Sequence, residues 1–116
     1  MGDFNGDGKL DLAVTNASGS TVSILLGNAS GAFRQHVDYA VGAGPFMVAT
    51  ADIDADGKLD LAVANQSDGT VSILRGNGDG SFQVANNFPA GSMPSYVALA
   101  DFNGDGRLDL AVAQTR

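Results

Sequence analysis

A chain of 116 residues, 44% of them hydrophobic, is the size of one ordinary domain and has enough apolar side chains for a core. Its net charge of −7 comes from thirteen acids, all Asp, against six bases, which opposes nucleic-acid binding because that requires a basic footprint. No apolar run approaches the ~20 residues of a membrane-spanning helix, and the lack of Cys excludes disulfides and a thiol nucleophile.

The opening Met1-Gly2-Asp3-Phe4-Asn5 has neither the basic region nor the apolar stretch of a signal peptide. It runs at once into the loop Asp3-Phe4-Asn5-Gly6-Asp7-Gly8-Lys9-Leu10-Asp11, a pattern that returns at Asp52 to Asp60 and at Asp101 to Asp109. The three starts are 49 residues apart, so the chain divides into repeat 1 (3–51), repeat 2 (52–100) and a partial repeat 3 (101–116). A start inside a repeat is expected of an excised piece of a longer protein or of an engineered one.

Each loop carries oxygen-bearing side chains at positions one, three, five and nine, with Gly at position six. They are Asp3, Asn5, Asp7 and Asp11; Asp52, Asp54, Asp56 and Asp60; Asp101, Asn103, Asp105 and Asp109. Calcium takes 6–8 oxygens, and a curled loop offers them from alternate side chains and a backbone carbonyl at position seven, here Lys9, Lys58 and Arg107. Two carboxylates about 4 Å apart repel by about 4 kcal/mol at an effective dielectric near 20, a cost that a cation removes. No His or Cys lies in any loop, which favours a hard ion over zinc or copper. Up to three calcium sites are expected. The middle one, with four carboxylates, is expected to bind tightest. Asp-Gly and Asn-Gly clusters also make ordinary turns, but turn chemistry alone gives no reason for the acid at position nine.

After each loop Leu10, Leu12 and Val14 alternate with Asp11, Ala13 and Thr15, the period of a strand, and the turn cluster 16–20 leads to a second strand through Val22, Ile24 and Leu26. The turn 27–31 precedes a third, more polar strand over 33–40, and a small apolar strand over 47–51 runs into the next loop. The same elements recur 49 residues later, the third strand there over 82–88 and the last over 96–100. Four short strands per repeat predict an all-β fold of β-propeller blades, each a four-stranded antiparallel sheet. Two blades and part of a third make an incomplete ring. Ala49, Ala51, Ala98 and Ala100 suit the strand nearest the axis, where space is least.

These residues resemble the FG-GAP or VCBS-type repeat, the blade of integrin-α-like propellers. The likeness rests on Asp-x-[Asn/Asp]-x-Asp-Gly-x-Leu-Asp at 3–11, 52–60 and 101–109, on Gly-x-Gly-Pro at 42–45 and on Gly-x-Phe at 31–33 and 80–82. It covers essentially the whole chain. It implies calcium at the loops and a module for adhesion or for binding a protein or carbohydrate. Gly91-Ser92-Met93-Pro94 departs from the pattern at Met93, where a different turn is expected. An EF-hand or dockerin loop places an acid at position twelve, which is Val14, Val63 and Val112 here.

A ring has about 4–8 blades, so this chain is expected to form a homo-oligomer or to belong to a larger propeller. Weak calcium loops fill where calcium is millimolar, which points to an extracellular, secreted setting. No catalytic residue is expected. A hydrolase or lyase on a propeller is the rival reading, since neighbouring carboxylates are the material of glycoside hydrolysis. However, the acids are accounted for as ligands, and the single His36 has Ala85 as its equivalent one repeat on. A purely structural or engineered self-assembling array is the third reading. Asn16, Asn28 and Asn65 open Asn-x-Ser sequons within predicted turns, and Tyr39, Phe46, Phe88 and Tyr96 flank the Gly-Pro loops, where packing is favoured over a ligand groove.

Overall fold

The computed structural model describes residues 2–28, 30–91, 94–100 and 109–114. All regular elements among them are strands: β1 (Leu12–Asn16), β2 (Thr21–Leu25), β3 (Val37–Ala40), β4 (Pro45–Ala51), β5 (Asp60–Asn65), β6 (Thr70–Leu74), β7 (Asn86–Pro89), β8 (Pro94–Ala100) and β9 (Asp109–Gln114). They form three antiparallel sheets, β1-β2-β3, β4-β5-β6-β7 and β8-β9. The middle sheet is the four-stranded blade expected from the repeat, and the others contain three and two strands of the same pattern.

The registers repeat with the sequence. Thr15 faces Val22 in the first sheet as Ala64 faces Val71 in the second. Ala51 faces Asp60 as Ala100 faces Asp109, and the isolated bridge from Gly2 to Asp11 occupies the same place in repeat 1. Pro45 and Pro94 open their strands and Pro89 closes an edge strand, the positions where a missing amide costs no ladder bond.

The third strand is shorter than its alternation implies. Residues 33–36 and 82–85 lie outside β3 and β7, and only Phe33 and Phe82 pair, in isolated bridges to Gly27 and Gly76. The cause is an extra residue: between the bridge and the next ladder pair, residues 34–36 stand against 25–26, and 83–85 against 74–75, so the outer ladder restarts only at Val37 and Asn86. The bridging glycines are packed so closely onto the preceding loop that a Cβ would lie 2.4 Å from the Leu10 carbonyl oxygen at Gly27 and 2.0 Å from that of Leu59 at Gly76.

The core lies between the first two sheets. Phe4, Val22 and Ile24 from one side meet Leu61, Val63, Leu74 and Phe82 from the other. β5 is buried along its whole length: Leu61 and Val63 face the first sheet, while Ala62 and Ala64 join Val71 in a second cluster on the opposite face. β4 lies beside both β1 and β8, and β8 also reaches β5. The strand carrying Ala49 and Ala51 thus stands at the edge where successive sheets converge, as its small side chains require, and β7 stands at the far edge.

Candidate metal centre

The loop 52–60 gathers four carboxylates. Asp52, Asp54, Asp56 and Asp60 each present an oxygen within 4.8 Å of the others. The curl that brings them together is built from side-chain to backbone bonds, the Asx geometry that Asp favours. The Asp56 amide donates to Asp52 Oδ1 at 3.1 Å, the Gly57 amide to Asp52 Oδ2 at 2.7 Å and the Lys58 amide to Asp56 Oδ1 at 2.9 Å. Gly57 has φ of +84°, the left-handed conformation that position six demands, and Ala55 is held at +60° despite its side chain.

Loop 3–11 has the same kind of backbone bonds, but its acids Asp3, Asp7 and Asp11 do not converge as those of loop 52–60 do. Asp3 accepts from the amides of Gly6, Asp7 and Gly8 at 2.9, 3.2 and 2.8 Å, and Asp7 Oδ1 accepts from the Lys9 amide at 2.9 Å. The ninth-position acids have a task of their own. Asp11 and Asp60 are fully buried, and each carboxylate ties the start of its loop to the turn after the second strand. The amides of Phe4 and Gly27 donate to Asp11 at 2.8 Å, and those of Ile53 and Gly76 donate to Asp60 at 2.9 and 2.8 Å. Backbone clamping is therefore a sufficient reason for an acid at position nine, which turn chemistry by itself did not supply. Loop residues Asp101, Asn103, Asp105 and Arg107 lie outside the described residues, and Asp109 is placed only as the first residue of β9.

Electrostatics distinguish members of the cluster. Asp54 is pushed above the usual carboxylate range, first by desolvation, then by the charge of Asp60 and the hydrogen bond with Asp56. Asp56 is lowered, chiefly by the Lys58 amide, and Asp3 is lowered, chiefly by the Gly8 amide. Arg75 lies 3.8 Å from Asp54, with both side chains partly in water, a geometry worth little. Desolvation first, and neighbouring charge second, thus disfavour the ionised form of Asp54, and a divalent cation beside it would favour that form. The donor set fits a hard ion: it is all oxygen, it is preorganised by backbone bonds, and it sits on an exposed loop. Gly27 and Gly76 are legible in the sequence as the start of a turn that keeps the 49-residue period, but not as partners of the buried acids, and Arg75 has as its one signal an Arg where repeat 1 has Leu26.

Two other groups can be placed. Ser23 Oγ donates to Asp38 Oδ1 at 2.5 Å, and His36 Nδ1 lies 2.7 Å from the same oxygen. The acid bridges serine and histidine, the reverse of a triad in which histidine must receive the serine proton. The structure thus pairs His36, an exposed side chain, with Asp38 and Ser23. Among the sequons, Asn65 is buried and its amide nitrogen bonds Thr70 and Ser72, which leaves no room there for a glycan. Of the aromatic residues, Tyr39 packs edge-on to Phe82 at 5.7 Å, whereas Phe46 and Phe88 are exposed. Gly91 takes φ of +86° where Gly42 does not; Ser92 and Met93, on which the expectation of a different turn falls, lie outside the described residues.

Sheets of this strand order, repeating every 49 residues with an acidic loop leading from the first strand to the second, define a propeller-blade repeat. A family model described as FG-GAP-like repeat matches residues 3–63 and again 52–112, and the chain belongs to that family. No curated protein and no solved structure matches it.

Proposed function

We propose that the chain is a non-catalytic, calcium-braced propeller module that binds a protein or carbohydrate ligand in an extracellular setting. The observation that carries the reading is the convergence of Asp52, Asp54, Asp56 and Asp60 within 4.8 Å. Calcium at this loop, and at the loops 3–11 and 101–109, would brace the crossing from the first to the second strand of each blade. The role is structural, and recognition falls to the surfaces that the braced blades present. Further blades, from other copies of the chain or from the rest of a larger propeller, complete the array, because repeat units bury their faces only against neighbours.

Calorimetric titration tests the metal reading. Calcium is expected to bind at millimolar concentration or below, with Asp54→Asn and Asp56→Asn weakening the middle site. Absence of binding at millimolar calcium would sink it. A glycan array then separates the ligand classes, with sugar binding marking a lectin and silence marking protein recognition.

The gap-free period favours, as a second reading, a purely structural self-assembling array. Residues 3–14 and 101–112 differ only at Lys9 and Arg107. Silence on glycan and protein arrays together, from a chain that assembles, would decide for it.

A further inference from the structure

Inside the chain, the second sheet holds the first by a plug and a socket. The plug is the turn ending in Phe82, which is 7% exposed. Its ring stands edge-on to Phe4 at 5.4 Å and to Tyr39 at 5.7 Å, and its amide donates to the Tyr39 hydroxyl at 3.3 Å. The Gly80 amide donates to the Phe4 carbonyl at 3.1 Å, and Gly80 is so close to Leu26 that a Cβ would meet that side chain at 2.8 Å. The socket is thus made of Phe4, Ile24, Leu26 and Tyr39.

The same four positions one repeat later are Ile53, Ile73, Arg75 and Phe88. They line an open, mainly apolar cavity of about 310 Å³, and Phe88 is 53% exposed. The plug one repeat earlier is Phe33, 44% exposed, on a turn already in its working shape. The Asn28 amide closes that turn onto the Ala32 carbonyl at 2.9 Å, as the Asn77 amide closes onto Ser81 at 3.0 Å, and both phenylalanines bridge their glycines alike.

The other faces correspond as well. Val63, Asn65 and Ser72 are buried under the loop from the first repeat, where the Gly42 amide donates to Ser72 Oγ at 3.2 Å and the Ala43 amide to Asp68 at 2.9 Å. Their counterparts Val14, Asn16 and Ser23 line an open groove on the first sheet. That sheet also ends at β1, to whose outer edge no strand is hydrogen-bonded among the described residues. The two ends of the molecule are therefore the two halves of an interface it already contains.

We propose that the chain associates head to tail with a second copy of itself, the second copy's Phe33 turn entering the Ile53, Ile73, Arg75 and Phe88 socket of the first. This deepens the assembly reading above and rests on it. For the plug to reach the socket, β1 of the second copy takes the place of β9 beside β8. The exchange is nearly degenerate, because residues 3–14 and 101–112 are the same but for Lys9 and Arg107. A contact between two different faces generates a ring when its rotation closes.

The chain has no Cys, so single-cysteine variants test the contact directly. Arg34→Cys and Pro89→Cys proteins, which change exposed positions beside the plug and the socket and leave Phe33 and Phe88 in place, are mixed and treated with a short bis-maleimide. A mixed dimer is expected in large excess over that formed by Val84→Cys with Pro89→Cys, Val84 being 90% exposed and outside both faces. Light scattering of the unmodified chain is expected to give a mass above one chain. Phe33→Ala, a change on the surface of each copy, is expected to weaken association about tenfold or more while leaving circular dichroism unchanged. An oligomer with no cross-link between positions 34 and 89 above the control would overturn this contact and leave assembly standing. A monomer at hundreds of micromolar would overturn both.

Discussion

The residue on which most depends is the buried Asp at position nine, because it serves two purposes. Asp60 accepts amides from Ile53 and Gly76 and also joins the carboxylate cluster, whereas Asp54 joins the cluster and lies beside the partly exposed Arg75. The two roles separate by substitution. Asp60→Asn replaces one acceptor with an NH2 group facing a backbone amide, so it is expected to cost about 1–3 kcal/mol without any metal. Asp54→Asn removes a charge that the cluster raises, so it is expected to leave calcium-free stability the same or higher and to weaken calcium binding. Urea unfolding in chelator, beside calorimetry of the same variants, checks both. Asp3 gives a test in pH. Its carboxyl is held below the usual range by the Gly8, Asp7 and Gly6 amides, so its folded pKa is lower than its unfolded one. It therefore contributes stability that is present above the ordinary carboxylate pKa and is lost as pH falls through the lower, folded value. Asp3→Asn is expected to shrink the acid-induced loss of stability in that window, as read from urea midpoints at neutral and acid pH.

At the scale of the element, the strands were readable because their periodicity is strict. Leu61 and Val63 alternate with Ala62 and Ala64, and the two sets fall in different apolar clusters. The short third strand was not readable. Phe33 to His36 continue a plausible strand pattern, and the interruption is an extra residue, 34–36 against 25–26, that alternation along one strand does not reveal. Distance in sequence hid the second role of Asp11, whose partner amide at Gly27 is sixteen residues away. The loop ligands, by contrast, were legible because their spacing is local and occurs three times. Two glycine substitutions probe the difference. Gly76→Ala drives a methyl into the Leu59 carbonyl and is expected to cost about 3 kcal/mol or more. Gly57→Ala meets nothing within 4 Å and bears only the cost of φ at +84°, about 1 kcal/mol. Thermal or urea unfolding of the pair in chelator is expected to rank them in that order.

For the whole molecule, the internal repeat sets both stability and incompleteness. Each sheet is one supersecondary unit that covers an apolar face only by stacking, and the best-buried core lies where two sheets meet. Exposed Val14 and Phe88 mark the two faces left over, while Val63 and Tyr39 at the same positions are covered inside the chain. The loops act at this scale too, since loops 3–11 and 52–60 each fasten the crossing between two strands of one blade through a buried Asp. A ligand that binds only the folded form adds RT ln(1 + [L]/Kd), about 1.4 kcal/mol per site at ten times Kd. Sites in two or three loops would then raise the unfolding temperature by several degrees together. The most direct measurement is thermal unfolding of the chain in chelator and in millimolar calcium, paired with calorimetric stoichiometry. The account predicts two or three bound ions per chain and a higher unfolding temperature with calcium. An unchanged unfolding temperature with no heat of binding would contradict it.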